Sequence, residues 1–300
     1  MSEINTNTSF SFSLASKVKD YFLLTKFTLS FTVVFSCVIC YLLAPHIVVY
    51  SWALIAYLFF AGMLITASAN AINQAVEKDT DALMLRTRKR PVASGRMSQK
   101  EAYAFATIAG IVGCAMMAYL FNYSSALLSA FSLFLYAFVY TPLKKVNSIA
   151  VLVGAFPGAF PCLIGWVAGN DDFSAGGWIL FGIQFLWQFP HFWAIAWVSH
   201  KDYSRVGFKL LPADKGPTKF TAIQGIMYSI LMIPVGVLPH YYNLSGSISM
   251  YILIVCNLFM VVQGIRLYNE MDVKAARRVM FSSYIYLPIV LLSLLADKTH

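Results

Sequence analysis

Residues 50–91 decide the fold of this chain: YSWALIAYLFFAGMLITASANAI (50–72) runs directly into NQAVEKDTDALMLRTRKRP (73–91). The first part holds 23 residues without a charged side chain. A helix of that length crosses the ~30 Å hydrocarbon core of a bilayer, because it rises ~1.5 Å per residue. The second part carries three acids and five basic residues. This pattern predicts a transmembrane helix that ends in a charged loop at one membrane surface.

The whole chain repeats this pattern. Of its 300 residues 59% are hydrophobic and only 12% are charged, whereas a soluble domain has about 25% charged residues. The composition therefore excludes an ordinary soluble domain and predicts an all-α, polytopic membrane protein. Apolar runs predict nine transmembrane helices, near residues 27–44, 50–72, 102–120, 124–141, 148–168, 176–198, 220–239, 247–265 and 279–296.

The distribution of basic residues predicts the orientation. With nine spans, 21 of the 22 Lys and Arg residues fall on the side of the N-terminus, and Lys298 alone falls on the other. Cytoplasmic loops carry the excess of Lys and Arg, so we expect the N-terminus in the cytoplasm and the C-terminus outside. The net charge of +9 is then a topology signal, and we expect no nucleic-acid partner.

The N-terminal segment 1–26 is predicted to lie in the cytoplasm and along the membrane interface, before a single transmembrane domain at 27–300. It lacks the features of a secretory signal. It also contains no arginine, whereas mitochondrial transit peptides are rich in arginine. We therefore expect a bacterial plasma (inner) membrane. All five cysteines lie in apolar spans, and the Cys37-x-x-Cys40 pair is interpreted as helix packing rather than a metal site.

Asn73, Glu77 and Asp81 recur every fourth residue and form one polar stripe on a helix where the second span ends. Carboxylates at a helix C-terminus are opposed by the helix dipole, so something must compensate them. Arg86 and Arg90 follow within nine residues. Acids that can bind Mg²⁺ beside guanidiniums that can bind phosphate oxygens suit a diphosphate. The alternative is a solvated helix end whose acids pair with Lys78, Arg86 and Lys89.

Two more features belong to the same hypothesis. Lys201 and Asp202 lie in a second charged patch after the sixth span, on the same predicted membrane face. His191 lies inside that span, where an ionisable group is costly and by default marks a functional site. It could transfer a proton or bind a metal or haem iron, or it could simply hydrogen bond to a neighbouring helix.

The chain resembles the intramembrane UbiA-type prenyltransferases and, among them, the haem O synthase branch (protohaem IX farnesyltransferases). The resemblance runs in order from about residue 20 to 290. It is carried by DYFLLTK (20–26), the stripe with Met84-x-Arg86-Thr87-x-x-Arg90-Pro91, YTPLKK (140–145), GAFPGAFPCLIGWVAG (154–169), QFPHFWAIAW (188–197) and KDY…GFKLLP (201–212).

The resemblance implies nine transmembrane helices around a central cavity. It also implies an enzyme that transfers a farnesyl group from farnesyl diphosphate to a vinyl group of haem B. The product is haem O for terminal oxidase assembly, so a haem A synthase or a terminal oxidase is the implied protein partner. Mg²⁺ would be held by Asn73, Glu77 and Asp81, and His191 would lie near the haem. Substrate groups would be bound by the side chains of Arg86, Arg90, Tyr140, Lys144, Lys201, Asp202 and Tyr203.

Three positions depart from the family pattern. Glu77 replaces the usual middle Asp, and Val206 stands where a second acid would follow Asp202. Phe27-Thr28 follows Lys26 where Pro-Arg is expected, so we assign no site residue to that region. Three other functions remain open: a prenyltransferase for an aromatic acid or quinone precursor, an organic-anion transporter, and a haem-storing protein.

Overall fold

The computed structural model describes residues 14–212 and 216–299. Within these ranges the chain is almost entirely helical, and the only pairing of the β type is an isolated bridge between Ser245 and Lys298. The first half of the predicted segment 1–26 lies outside the described residues. Its second half forms a helix, and whether that helix lies along the membrane interface stays a prediction.

Thirteen α-helices follow one another along the described residues. In chain order they are α1 (Leu14–Leu24), α2 (Phe27–Leu43), α3 (Trp52–Val76), α4 (Lys78–Leu83), α5 (Gln99–Leu120), α6 (Tyr123–Phe134), α7 (Thr141–Leu143), α8 (Ala150–Asn170), α9 (Ala175–Val198), α10 (His200–Arg205), α11 (Lys219–Tyr241), α12 (Ser247–Glu270) and α13 (Val273–Ala296). A π-helical turn, Leu135–Tyr140, joins α6 to α7, so Tyr123–Leu143 is one continuous rod.

Eight helices in the described part of the chain are long and apolar enough to cross a membrane, and a ninth span is reached if α1 and α2 count as one. These two helices meet at a bend of 50°, where Lys26 adopts a left-handed conformation with φ of 48°. The polytopic all-α fold predicted from the sequence is therefore confirmed.

Three of the predicted spans are too short by four or more residues at one end. α3 continues past residue 72 to Val76, α12 continues past 265 to Glu270, and α13 begins at Val273 rather than at 279. The extra turns are polar, so hydropathy misses them. The first turn of α13 is also capped, because the Asp272 side chain accepts a hydrogen bond from the backbone N–H of Ala275 at 2.7 Å.

Close helix approach in the middle of the bundle depends on glycines of α8, a central and largely buried helix. Gly165 lies directly against the backbone carbonyl of Cys37 in α2, so that a Cβ atom here would overlap it. Gly158 lies against the Gln188 side chain of α9 in the same way. Small residues at such contacts let membrane helices pack backbone to backbone. On one side of the bundle the ends of α3, α7 and α9 lie close together, as the contacts of Glu77 with Lys144 and of Arg86 with Asp202 show.

The C-terminal end of the chain is tied to α2 on the opposite side. The Lys298 ammonium donates hydrogen bonds of 2.8–3.0 Å to the backbone carbonyls of Leu42, Ala44 and Ile47. Carbonyls at and beyond a helix C-terminus have no partner inside the helix, and a cation satisfies them well.

Candidate active site

The predicted stripe of Asn73, Glu77 and Asp81 exists and is buried. The three residues are only 2%, 6% and 1% exposed. α3 ends at Val76 and α4 begins at Lys78, yet the backbone N–H of Glu77 donates to Asn73 O at 3.0 Å and that of Asp81 to Glu77 O at 2.7 Å. These bonds preserve the helical spacing across the junction, while Asp79 is exposed.

Each member of the stripe has a cationic partner. Lys144 Nζ lies 2.5 Å from Glu77 Oε1, and Arg90 Nη1 lies 2.7 Å from Asp81 Oδ2. Lys26 Nζ donates to Asn73 Oδ1 at 3.2 Å. The acids are therefore paired inside the protein, with Lys144 and Arg90. The alternative of a solvated helix end expected other partners, namely Lys78, Arg86 and Lys89. Buried ion pairs of this kind are costly to assemble and contribute little net stability, so a functional reason for them is needed.

The stripe offers suitable oxygen atoms for Mg²⁺. Asp81 Oδ1 is buried and has no hydrogen-bond partner among the described residues. No cluster of three or more His, Cys, Asp or Glu side chains in that part of the chain could bind a metal by itself. Mg²⁺ does not need one, because it is commonly held by one or two carboxylates together with phosphate oxygens of a substrate. Two carboxylates and the Asn73 amide oxygen fit that requirement.

The π-helical turn positions Tyr140 and Lys144. The Thr141 N–H and hydroxyl both donate to the carbonyl of Tyr136, five residues earlier, and Pro142 has no N–H to restore the regular α pattern. Lys144 Nζ then lies 4.8 Å from the centre of the Tyr140 ring and 5.5 Å from that of Phe208. These cation–π contacts hold the ammonium in a buried position next to Glu77.

The two charged patches meet. The Arg86 backbone N–H donates to Asp202 Oδ2 at 3.4 Å, and its guanidinium donates to the Tyr203 hydroxyl at 3.2 Å. The Tyr203 ring in turn packs against Phe208, with ring centres 5.9 Å apart. Lys201 is different: it is exposed, and its side chain makes no ion pair or hydrogen bond with any described residue. The structure therefore joins every predicted binding residue of the two patches except Lys201.

His191 lies apart from the stripe. It belongs to α9, and its buried side chain packs against α13. Its Nδ1 lies 2.8 Å from Ser283 Oγ. The imidazole stacks on Trp187 of its own helix at 4.7 Å between ring centres and meets the edge of Tyr284 at 5.0 Å. The structure does not bring His191 into contact with any other predicted site residue.

Sequence reasoning missed Lys26 and Thr141. Both contact the Asn73 amide, from Lys26 Nζ and from Thr141 Oγ1, which accepts from Asn73 Nδ2 at 3.4 Å. No site residue was predicted near Lys26, because Phe27-Thr28 departs from the family pattern, yet the lysine contacts the predicted stripe. A signal was present, because Lys26 ends the DYFLLTK stretch that carries part of the family resemblance and Thr141 lies in YTPLKK.

A narrow cavity of about 10 Å³, enough for one water molecule, lies between α9, α11, α12 and α13. Its lining includes Pro190, Trp193 and Thr221, but none of the predicted site residues. The central cavity predicted beneath the stripe stays a prediction.

Comparison with known proteins identifies the family. Residues 33–285 match the model of the UbiA prenyltransferase family. A protoheme IX farnesyltransferase of Cytophaga hutchinsonii is 43% identical over 287 residues, which cover 96% of this chain and 100% of the relative. A protoheme IX farnesyltransferase of Flavobacterium psychrophilum is 40% identical over 304 residues, with 99% of each chain covered.

Solved structures have the same fold. A digeranylgeranylglyceryl phosphate synthase superposes with a TM-score of 0.78 at 20% identity, covering 94% of this chain and 98% of the other. A UbiA homologue from Archaeoglobus fulgidus bound to GPP and Mg²⁺ superposes with a TM-score of 0.70 at 14% identity, covering 92% and 99%. A bundle of membrane-spanning helices, a buried acidic stripe with its cations, and a family match over most of the sequence lead to one conclusion: this chain belongs to the UbiA prenyltransferase family.

Proposed function

We propose that this prenyltransferase moves a farnesyl group from farnesyl diphosphate to a vinyl group of haem B and adds water, giving haem O and diphosphate. Farnesyl and haem are the groups named for the relatives that match nearly the full chain. The enzyme would act in a bacterial plasma membrane and supply terminal oxidase assembly. Its N-terminus and charged mouth would face the cytoplasm, where the 21 basic residues fall.

One observation carries the chemistry: Glu77 and Asp81 are buried and each contacts a cation, Lys144 and Arg90. A diphosphate that enters this site brings negative charge of its own. Lys144 and Arg90 can then bind phosphate oxygens, which frees the two carboxylates. In this proposal Asn73, Glu77 and Asp81 hold Mg²⁺, which when bound neutralises charge on the departing diphosphate.

The reaction begins when the bond between farnesyl C1 and the diphosphate oxygen breaks and its electron pair leaves with the diphosphate. Lys26, Lys144 and Arg90 stabilise the negative charge that develops there. The allylic cation left behind needs shielding from water, and the ring faces of Tyr140 and Tyr203 beside the cations can attract it.

The π electrons of the haem vinyl group then form the new C–C bond to C1. The resulting cation next to the porphyrin takes the oxygen of a water molecule, which releases a proton and leaves a hydroxyl group. Arg86, at the mouth beside Asp202, is suited to hold either a phosphate or a haem propionate.

The acceptor decides between this proposal and the related alternative. Purified protein in lipid nanodiscs would receive farnesyl diphosphate, Mg²⁺ and one acceptor at a time, namely haem B, an aromatic acid or a quinone precursor, and products would be identified by mass. We expect farnesylated, hydroxylated haem and no other prenylated acceptor. Prenylation of the aromatic acid or quinone precursor alone would overturn the haem assignment. Diphosphate flux into proteoliposomes without product would favour a transporter, and haem binding without product would favour storage.

A further inference from the structure

The hydrogen bonds of Ser283 fix the protonation pattern of the buried His191 ring. Ser283 Oγ lies 2.6 Å from the carbonyl oxygen of Met280 and 2.8 Å from His191 Nδ1. A carbonyl oxygen can only accept, so in the shorter bond the Ser283 hydroxyl donates its single proton to Met280 O. The remaining bond then needs a proton on His191 Nδ1. In a neutral imidazole this leaves the lone pair on Nε2.

The ring is also held in orientation by its neighbours. Trp187 stacks on one face with an interplanar angle of 17°, and Tyr284 meets the ring edge-on at 74°. Trp187 is itself anchored, because its indole N–H donates to the backbone carbonyl of Ser283 at 2.9 Å. Ser283, which is fully buried, therefore positions the imidazole through its own hydroxyl and through Trp187.

A histidine whose Nδ1–H is fixed by a neighbouring acceptor, with Nε2 free of partners among the described residues, is the arrangement found in metal-binding imidazoles. We propose that Ser283 is a positioning residue that holds His191 as its Nδ1–H tautomer, so that Nε2 binds the iron of the haem acceptor. This inference rests on the proposed function. It assigns Ser283, on a helix that carries no other site residue, a part in orienting the acceptor.

The test measures haem binding by spectroscopy, independently of turnover. Ferric haem B would be titrated into wild-type protein and into Ser283→Ala, with the Soret band and the electron paramagnetic resonance spectrum as readouts. We expect an imidazole-ligated spectrum in the wild type. In Ser283→Ala we expect haem affinity about 10-fold lower and a changed ligation spectrum, since loss of such a partner weakens metal binding 10–100-fold.

Ser129→Ala is the matched control. Ser129 is equally buried and also donates to a carbonyl of its own helix, at 2.8 Å, but it does not contact a histidine. We expect wild-type haem spectra for this variant. If Ser129→Ala and Ser283→Ala change the spectra equally, a general packing effect explains both and the positioning role is contradicted.

His191→Ala separates positioning from packing. In this background we expect Ser283→Ala to have no further effect on haem affinity, and added free imidazole to restore the ligation spectrum. A wild type that makes haem O while His191→Ala keeps the wild-type spectrum would overturn this inference and leave the proposed function standing. A wild type that prenylates a different acceptor would overturn both.

Discussion

At the scale of single residues, ion pairs with Lys and Arg explain how this membrane protein keeps two carboxylates buried. Glu77 and Asp81 would be very costly inside the bundle without Lys144 and Arg90, because an unpaired buried charge loses its hydration. In the proposed mechanism the same cations exchange the carboxylates for phosphate oxygens when the diphosphate binds. Under the proposed function, the ion pairs would be the resting form of the binding site.

Lys144 gives a residue-scale prediction with a built-in control. Lys144→Met removes a cation that would stabilise the leaving diphosphate, and we expect kcat to fall about 10²-fold, as for the loss of one donor to a developing negative charge. Lys145 is exposed and adjacent, so Lys145→Met should stay within about 2-fold of wild type, as surface changes usually do. Steady-state rates of prenyl transfer measure both. Equal losses in the two variants would refute the assignment of Lys144.

The stripe could be predicted from the sequence because its spacing is local: residues four apart share a helix face wherever the helix goes. The contact between Lys26 and Asn73 could not, since it joins residues 47 positions apart and depends on how α2 packs against α3. His191 stood out as an ionisable group within an apolar span. Its partner Ser283 did not, because a lone serine in a membrane helix carries no distinguishing signal.

At the scale of elements, the loop that follows α4 is held against α10 by Arg86. Its guanidinium lies 5.8 Å from the centre of the Tyr203 ring and also donates to the hydroxyl. α10 has only six residues, so its position depends on such contacts rather than on its own helical stability. The two charged patches were predicted to share one membrane face, and this contact shows how they are joined.

Arg86 and Tyr203 should therefore act as a unit. Arg86→Ala and Tyr203→Phe are expected to lower kcat/KM for the prenyl diphosphate by less in combination than the sum of their separate effects. We expect a coupling free energy of about 0.5–3 kcal/mol, the usual range for residues in contact. A double-mutant cycle on kcat/KM measures it. Strictly additive losses would mean that Arg86 and Tyr203 serve the substrate separately.

Lys298 gives a second element-scale prediction, for stability rather than activity. Lys298→Met leaves three carbonyls around the end of α2 without their cationic donor, which should cost about 1–3 kcal/mol. We expect a Tm several degrees lower in detergent and an unchanged kcat, because this contact lies on the far side of the bundle from the stripe. Lys274→Met, at an exposed lysine, is the control. An unchanged Tm for Lys298→Met would show that the contact does not stabilise the fold.

At the scale of the whole molecule, the distribution of basic residues and the number of helices predict the same membrane topology. With a cytoplasmic N-terminus, as the basic residues predict, nine crossings would bring the ends of α3, α7 and α9 to the cytoplasmic side and leave Lys298 outside. The count depends on α2, which has 17 residues and meets α1 at a bend. Hydropathy predicted this span, but it could not predict the bend.

Reporter fusions test that topology. Alkaline phosphatase fused to the C-terminus should be active and green fluorescent protein fused there should be dark, because only the former matures outside the cytoplasm. Fusions after residue 89, in the charged loop, should give the reverse. A fluorescent C-terminal fusion would mean that one span, α2 first of all, does not cross.

The central claim is that the buried carboxylates of the stripe hold the Mg²⁺ on which departure of the diphosphate depends. Single-turnover release of diphosphate from farnesyl diphosphate, with haem B and Mg²⁺ present, measures it most directly. Wild type and Asp79→Asn, changed at an exposed acid beside the stripe, should release diphosphate at the same rate. Glu77→Gln and Asp81→Asn, if folded and able to bind haem, should be slower by at least about 10²-fold. Release at the wild-type rate from both stripe variants would contradict the account.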